Sequence, residues 1–216
     1  MVIRNLSESN SLISQYLKEI RSVSIQQDSL RFRRNIERIG ELMAYEVSKV
    51  LHYAPEQVQT PIDVASVNTI QDRVVLATVL RAGLPFHQGF LNMFDHAENA
   101  FLSAYRKVNE HGDLEIVSEY MAAPSTADKT LILVDPMLAT GMSMDAAIKA
   151  LERHGQPAHI HLCCVIGAPE AVHYLEQMVS ENVTLWCAAI DQRLNEHKYI
   201  VPGLGDAGDL CFGDKL

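Results

Sequence analysis

Four apolar runs constrain this chain more than any other feature. They are VVLATVL (Val74–Leu80), LILV (131–134), HIHLCCVI (159–166) and VTLWCAAI (Val183–Ile190). Each is nearly continuous rather than alternating, the pattern of a strand buried on both faces. Each stops at a turn or polar signal: Arg81-Ala82-Gly83, Asp135-Pro136, Gly167 and Asp191. Helical stretches at 143–154 and 169–179 separate the later runs. Strand and helix in alternation predict an α/β fold, a mostly parallel sheet flanked by helices on both faces. Ligands of such sheets bind beyond the carboxyl ends of the strands. Arg81 and Asp135, both at such ends, are therefore candidate site residues.

The rest of the chain reads around that sheet. Residues 1–52 form an N-terminal helical segment. Leu12, Ile13, Tyr16, Leu17 and Ile20 keep helical spacing, and a second helix starts at Asp28, a good N-cap, and runs through Phe32, Ile36, Ile39, Leu42, Met43 and Val47. Residues 54–72, with Pro55 and Pro61, read as a connection plus a short strand. Residues 98–120 read as a β-hairpin arm, with 100–106 and 114–120 flanking a polar tip at 109–113. The 216 residues suit a single domain, closed by a tail at 191–216.

Composition excludes several function classes. The net charge of −9 argues against a nucleic-acid partner, which needs a basic footprint. No run of about 18 apolar residues predicts a membrane span, and the N-terminus lacks the apolar stretch of a secretion signal, so a cytoplasmic location is expected. The four cysteines, Cys163, Cys164, Cys187 and Cys211, form no CxxC pair and read as reduced structural thiols. His159 and His161 alternate on one strand without a third ligand, so no protein-held metal is expected. Trp186 reads as core.

The segment LILVDPMLATGMS (131–143) carries the most chemistry. A strand supplies a platform, Asp135 a carboxylate at its end, and Ala139-Thr140-Gly141-Met142-Ser143 turns into a helix. Such a turn aims several backbone N–H groups at one point, and the helix N-terminus adds partial positive charge, which suits a phosphate. Thr140 and Ser143 add hydroxyl donors, and Gly141 permits a positive φ. On these residues alone, an ordinary strand–loop–helix capped by Ser143 remains open. Neither GxxxxGK[ST] nor GxGxxG is present. A second segment, YIVPGLGDAGD (199–209), is rich in glycine and exposes main-chain N–H and C=O groups at low steric cost.

VDPMLATGMS resembles the phosphoribosyl-diphosphate signature of type I phosphoribosyltransferases, in the form typical of their uracil-specific members. RFR at 31–33, VLRAGL at 79–84, YR at 105–106, DQRLNEH at 191–197 and the glycine-rich tail follow the same order, so the resemblance runs from about residue 28 onward. It implies transfer of a phosphoribosyl group from 5-phosphoribosyl 1-diphosphate to uracil, giving UMP and diphosphate. The implied donor site comprises Arg81, Arg106, Asp135, Pro136, Met137, Leu138, Ala139, Thr140, Gly141, Met142, Ser143 and Asp206. The implied uracil site comprises Tyr199, Ile200, Gly205, Asp206 and Ala207. Asp135, Arg106 and Asp206 are the implied catalytic residues. Arg81 and Arg106 would face the diphosphate, the arm at 106–119 would close over the site, and Mg²⁺ would be held mainly by the diphosphate. A homodimer or higher oligomer and a GTP effector are also implied, the latter with no residue assigned. Arg31, Arg33 and Arg34 read as a solvated face or a subunit contact. The chain departs from the family at Pro85, Met142, Arg193, Lys198 and Leu210. Those departures motivate a second reading, a non-catalytic pyrimidine-nucleotide sensor. A third reading, a purine-directed transferase, is disfavoured by the tail.

Overall fold

In the computed structural model, which describes residues 1–103, 105–108, 114–117 and 120–214, the four apolar runs lie side by side in one sheet. In chain order the elements are β1 (Val2–Asn5), α1 (Leu12–Arg21), α2 (Ser29–Ser48), β2 (Tyr53–Gln59), β3 (Val64–Ile70), β4 (Val74–Leu80), α3 (Gly83–Met93) and β5 (Glu98–Ser103). Then come β6 (Tyr105–Val108), β7 (Leu114–Val117), β8 (Met121–Ala122), β9 (Thr130–Val134), β10 (Met137–Leu138), α4 (Met142–Glu152) and β11 (His159–Gly167). The chain ends with α5 (Pro169–Met178), β12 (Val183–Ile190), β13 (Arg193–Leu194), β14 (Ile200–Val201) and α6 (Ala207–Phe212). The eight-stranded sheet has the order β1-β12-β11-β9-β4-β5-β8, with β10 beside β11. Among its described pairs, β8 is antiparallel to β5 and the rest are parallel.

Side chains on these strands alternate between two cores. Leu76, Ile132, Val134, Cys163, Val165 and Trp186 face Ile20, Phe32, Ile36, Ile39, Met43, Phe86 and Phe90 of α1, α2 and α3. Val75, Ala77, Leu131, Leu133, Leu162 and Leu185 face Met144, Ile148 and Leu151 of α4 and Ala171 and Leu175 of α5. The runs are continuous because both faces are dry, and each fully buried large aliphatic side chain contributes about 1.5–3 kcal/mol. The expected caps form: Asp28 accepts the N–H of Arg31 and opens α2. All four cysteines are free and buried. Trp186 donates its indole N–H to Nδ1 of His161 (3.2 Å), and His159 shares a hydrogen bond with the Thr184 hydroxyl (3.0 Å). Burial, with His159 beside it, pushes the His161 pKa down to about 3, so this ring stays neutral in the core. No helix among the described residues is long and apolar enough to cross a membrane.

Three local expectations are corrected, and one open alternative is closed. The N-terminal segment is not all helix: Val2–Asn5 pair in parallel with β12 and edge the sheet. Residues 54–72 are not a connection with one strand. β2 and β3 form a seven-pair antiparallel hairpin, whose turn is closed by the Thr60 hydroxyl accepting the N–H groups of Ile62 and Asp63. Pro61 sits in that turn, where it takes no donor from the ladder. The first half of the supposed arm, from Glu98 to Ser103, belongs to the central sheet as β5; the hairpin begins later, with β6 paired to β7. The tip at 109–113 lies outside the described residues. The cap of α4 is Gly141 rather than Ser143.

The arginines of α2 have structural partners. Arg31 meets Glu19 (3.1 Å), Arg34 meets Glu37 (2.6 Å), and Arg33 donates to the carbonyl of Cys211 (2.6 Å).

Candidate functional site

The sheet brings its carboxyl ends to one cleft of about 1070 Å³. β4 delivers Leu80 and Arg81, β5 delivers Ser103, and β9 delivers Asp135. The turn into α4 adds Ala139 and Ser143. On the opposite wall lie Lys198, Tyr199, Ile200 and the loop Gly205-Asp206-Ala207-Gly208. A smaller hollow opens off the cleft, lined by Asp135, the 137–141 turn, Ser143 and Met144.

The turn is held in place from behind. β10 is tied to β11, and the Pro136 carbonyl accepts the N–H groups of Val165 (3.1 Å) and Ile166 (3.0 Å). Leu138 is buried in the second core, so its side chain anchors the turn beside the hollow. Gly141 then takes φ +81°, and a Cβ there would lie 2.9 Å from the Tyr174 ring, so no other residue fits without movement. Met142 is the first helical residue of α4, in ordinary helical conformation, with its side chain turned outward. The first N–H groups of an α-helix have no intrahelical acceptor, and the Thr140 and Ser143 hydroxyls have no partner among the described residues.

Asp135 occupies the floor. Its Oδ1 accepts the N–H of Met137 at 3.3 Å. Burial pushes its pKa up to about 7, against the opposing effect of that one hydrogen bond. A carboxyl so placed lacks the donors and positive charge that would hold it ionised. Arg81 is under-used in the same way. Its Nη2 reaches Asp209 and the Gly213 carbonyl at 3.3 Å each, and its buried Nε has no partner. Asp206 caps α6, accepting the N–H groups of Gly208 (2.8 Å) and Asp209 (3.1 Å) through Oδ1.

Of the residues expected at the site, Arg81, Asp135, Met137, Ala139, Ser143, Tyr199, Ile200, Gly205, Asp206 and Ala207 line the main cleft, and Leu138, Thr140 and Gly141 line the adjoining hollow. Pro136 and Met142 flank the cradle without lining either. Arg106 lies on β6, and its side chain lies outside the described residues. The cleft is also lined by residues not expected at the site: Val79, Leu80, Ala82, Lys198 and Gly208 lie beside expected positions, whereas Ser103, His197 and Asp214 were missed. Ser103 stands at a strand's carboxyl end, the same signal that marked Arg81 and Asp135. His197 ends the DQRLNEH stretch, which was given no site role, and Asp214 carried no signal of its own.

The departures also find their places. Pro85 sits in the first turn of α3, where its missing N–H breaks no intrahelical bond. Lys198 holds φ +63° at the tip of the β13–β14 hairpin, a conformation that favours glycine. Arg193 pairs with Val201 in ordinary strand conformation, and Leu210 packs against the first core.

The family model for uracil phosphoribosyltransferase matches residues 7–214. The chain is similar to a uracil phosphoribosyltransferase of Porphyromonas gingivalis, 54% identical over 216 residues and covering 100% of both chains. It is also similar to one from Methanothermobacter thermautotrophicus, 36% identical over 94% of this chain and 93% of that one. Among solved structures it resembles the AQ2163 protein from Aquifex aeolicus, at 30% identity and TM-score 0.86, with 98% of each chain covered.

Proposed function

The chain belongs to the uracil phosphoribosyltransferase family, and from that premise we propose that its cleft joins uracil to 5-phosphoribosyl 1-diphosphate, releasing UMP and diphosphate. In this transfer the anomeric C–O bond to diphosphate breaks and a C–N bond to N1 of uracil forms, with release of the N1 proton. The observation that carries the reading is the pairing of the two walls: the strand-to-helix turn with Asp135, Ala139 and Ser143 on one side and the glycine-rich stretch Gly205 to Gly208 on the other.

The reaction needs placement and charge stabilisation rather than a protein nucleophile. The cradle N–H groups, with Thr140 and Ser143, would hold the 5′-phosphate. Asp135 would accept hydrogen bonds from the ribose hydroxyls, donors that its present surroundings lack. Arg81, whose Nε is unpaired, would bind diphosphate oxygens through its planar fork, and Arg106 would join it from the arm. Main-chain groups around Gly205-Asp206-Ala207 would read the uracil edge, with Tyr199 and Ile200 against the ring. Cytosine would leave polar groups unpaired there.

Magnesium fits as an ion held chiefly by the diphosphate and water. Asp135 offers one carboxylate at the cleft floor, and no group of three or more candidate ligands gathers among the described residues. When bound, the ion would neutralise charge on the leaving group.

The assembly would be a homodimer or higher oligomer. The β2–β3 hairpin supports this, because its strands contribute no buried residue and leave Tyr53, Val64 and Ile70 bare on one face and Val58 and Val67 on the other. A lone two-stranded hairpin is marginal in water, and a second copy would cover it. The free buried thiols suit a reducing compartment such as the cytoplasm.

Base competition tests the activity. Uracil should be consumed with the donor and Mg²⁺, while cytosine, hypoxanthine and guanine should compete poorly. Preferred use of a purine would overturn the assignment. Adding GTP to the same assay tests the effector role.

A further inference from the structure

The base-reading loop is held from outside the cleft. Arg21, the last residue of α1, donates Nη2 to Asp191 Oδ1 (2.6 Å) and Nη1 to Asp191 Oδ2 (2.8 Å). The same Nη1 donates to the carbonyl of Gly203 (3.0 Å), and the Gly203 N–H donates to Asp191 Oδ2 (2.8 Å). Both polar groups of one peptide residue are thus taken by one ion pair. Gly203 has φ +63°, and a Cβ there would lie 2.1 Å from the Ile200 carbonyl, so the loop is folded tightly at that point. Five residues after Arg21, the Gln26 amide nitrogen, in the orientation its neighbours dictate, donates to the carbonyls of Ile20 (3.0 Å) and Leu204 (2.9 Å). Asp191 is itself fixed through its N–H to the Gly167 carbonyl (2.8 Å) at the end of β11.

The clamp therefore links three parts: the sheet through Asp191, the end of α1 and the turn after it through Arg21 and Gln26, and the loop at Gly203 and Leu204. Immediately after it come Gly205, Asp206 and Ala207, which line the cleft. Arg21 and Asp191 line neither the cleft nor the cradle.

We propose that Arg21 and Asp191 are positioning residues for the acceptor base: their ion pair sets where the 205–207 main chain meets uracil, and thereby sets base affinity and discrimination. The proposal rests on the uracil reading of the cleft. The pair is nearly buried on the Asp191 side, where the carboxylate is 6% exposed, so removing one partner strands the other. A shift of about 1 Å in a reacting group can lower rates by about 100-fold.

The test is steady-state kinetics on the full chain, varying uracil and the donor separately, with Arg21→Met, Asp191→Asn and the double variant. The expected result is a rise in KM for uracil of about tenfold or more and weaker discrimination against cytosine. The KM for the donor should change less than that for uracil, because Arg81 and the turn at 137–143 lie outside the clamped loop and Asp206 alone is shared by both sites. The double variant should be no worse than the more damaging single one, since both remove one interaction. Arg31→Met provides the comparison, because it removes a second ion pair made by α1, through Glu19, that does not touch the loop. It should lower stability alone. If Arg21→Met does not fold, Arg21→Lys carries the test, because an ammonium cannot span both carboxylate oxygens and a carbonyl as the guanidinium does. Equal changes in both KM values, or a fall in thermal stability with unchanged uracil KM, would overturn the proposal while leaving the activity intact. A wild-type chain that forms no UMP would remove the functional reading and this inference together.

Discussion

At the scale of single residues, the sharpest consequence concerns Asp135. Its pKa of about 7 lies above the ordinary carboxylate value of 3.8, so the folded chain binds this proton more tightly than the unfolded chain. Stability must then fall as pH rises from about 4 to about 7, and the penalty is complete above that range. Without ligand, Asp135→Asn should raise the melting temperature at pH 8, by the equivalent of up to a few kcal/mol, with the difference fading towards pH 4. A variant less stable than wild type at pH 8 would show that the carboxylate is not held at a cost. Gly141→Ala makes the opposite prediction. The positive φ and the Tyr174 contact should together cost about 2 kcal/mol and raise the KM for the donor, measured by calorimetric unfolding and initial rates. Lys198→Gly should stabilise the chain by roughly 1 kcal/mol, because it relieves the left-handed conformation at the hairpin tip. An unchanged denaturation midpoint would contradict that.

At the scale of elements, legibility in the sequence followed burial. The four central strands were read to within one residue because their apolar runs record two dry faces. The helix α2 was read from Asp28 and its periodic core positions. The β2–β3 hairpin was missed because neither face packs on the body, so neither alternation nor continuity survives in its sequence. The boundary between β5 and β6 was missed because the pattern from Ala100 to Arg106 has no breaker, although β5 pairs with the sheet and β6 with β7. The Arg21–Asp191 ion pair joins residues 170 positions apart, and no local pattern records such a contact. The hairpin itself is testable. Ile62, 96% exposed at its tip, and Val67, exposed on its face, belong to neither core among the described residues. The double variant Ile62→Lys/Val67→Lys should fold with unchanged circular dichroism and shift the sedimenting species towards the monomer. A wild-type chain that sediments as a monomer would dismiss the proposed assembly.

At the scale of the whole molecule, three separate parts of the chain converge on one cleft. The parallel sheet presents Arg81, Ser103 and Asp135 from adjacent carboxyl ends, the turn into α4 presents Ala139 and Ser143, and the tail folds back to form the facing wall. The sheet ends and the strand–turn–helix at 131–143 were legible because each is local. The depth at which Asp135 sits was not, because burial is a property of the assembled fold. Ligand linkage follows from the same arrangement. The donor with Mg²⁺, at about 100 times its dissociation constant, should stabilise the wild type by about 2.7 kcal/mol, and Gly141→Ala should lose most of that gain at the same concentration. The most direct measurement of the central claim is the rate of UMP formation from labelled uracil and 5-phosphoribosyl 1-diphosphate, for wild type and Asp135→Asn side by side. UMP and diphosphate should appear in equal amounts with the wild type, and the variant should be slower by about 100-fold or more. No UMP from the wild type, or an unimpaired variant, would contradict the account.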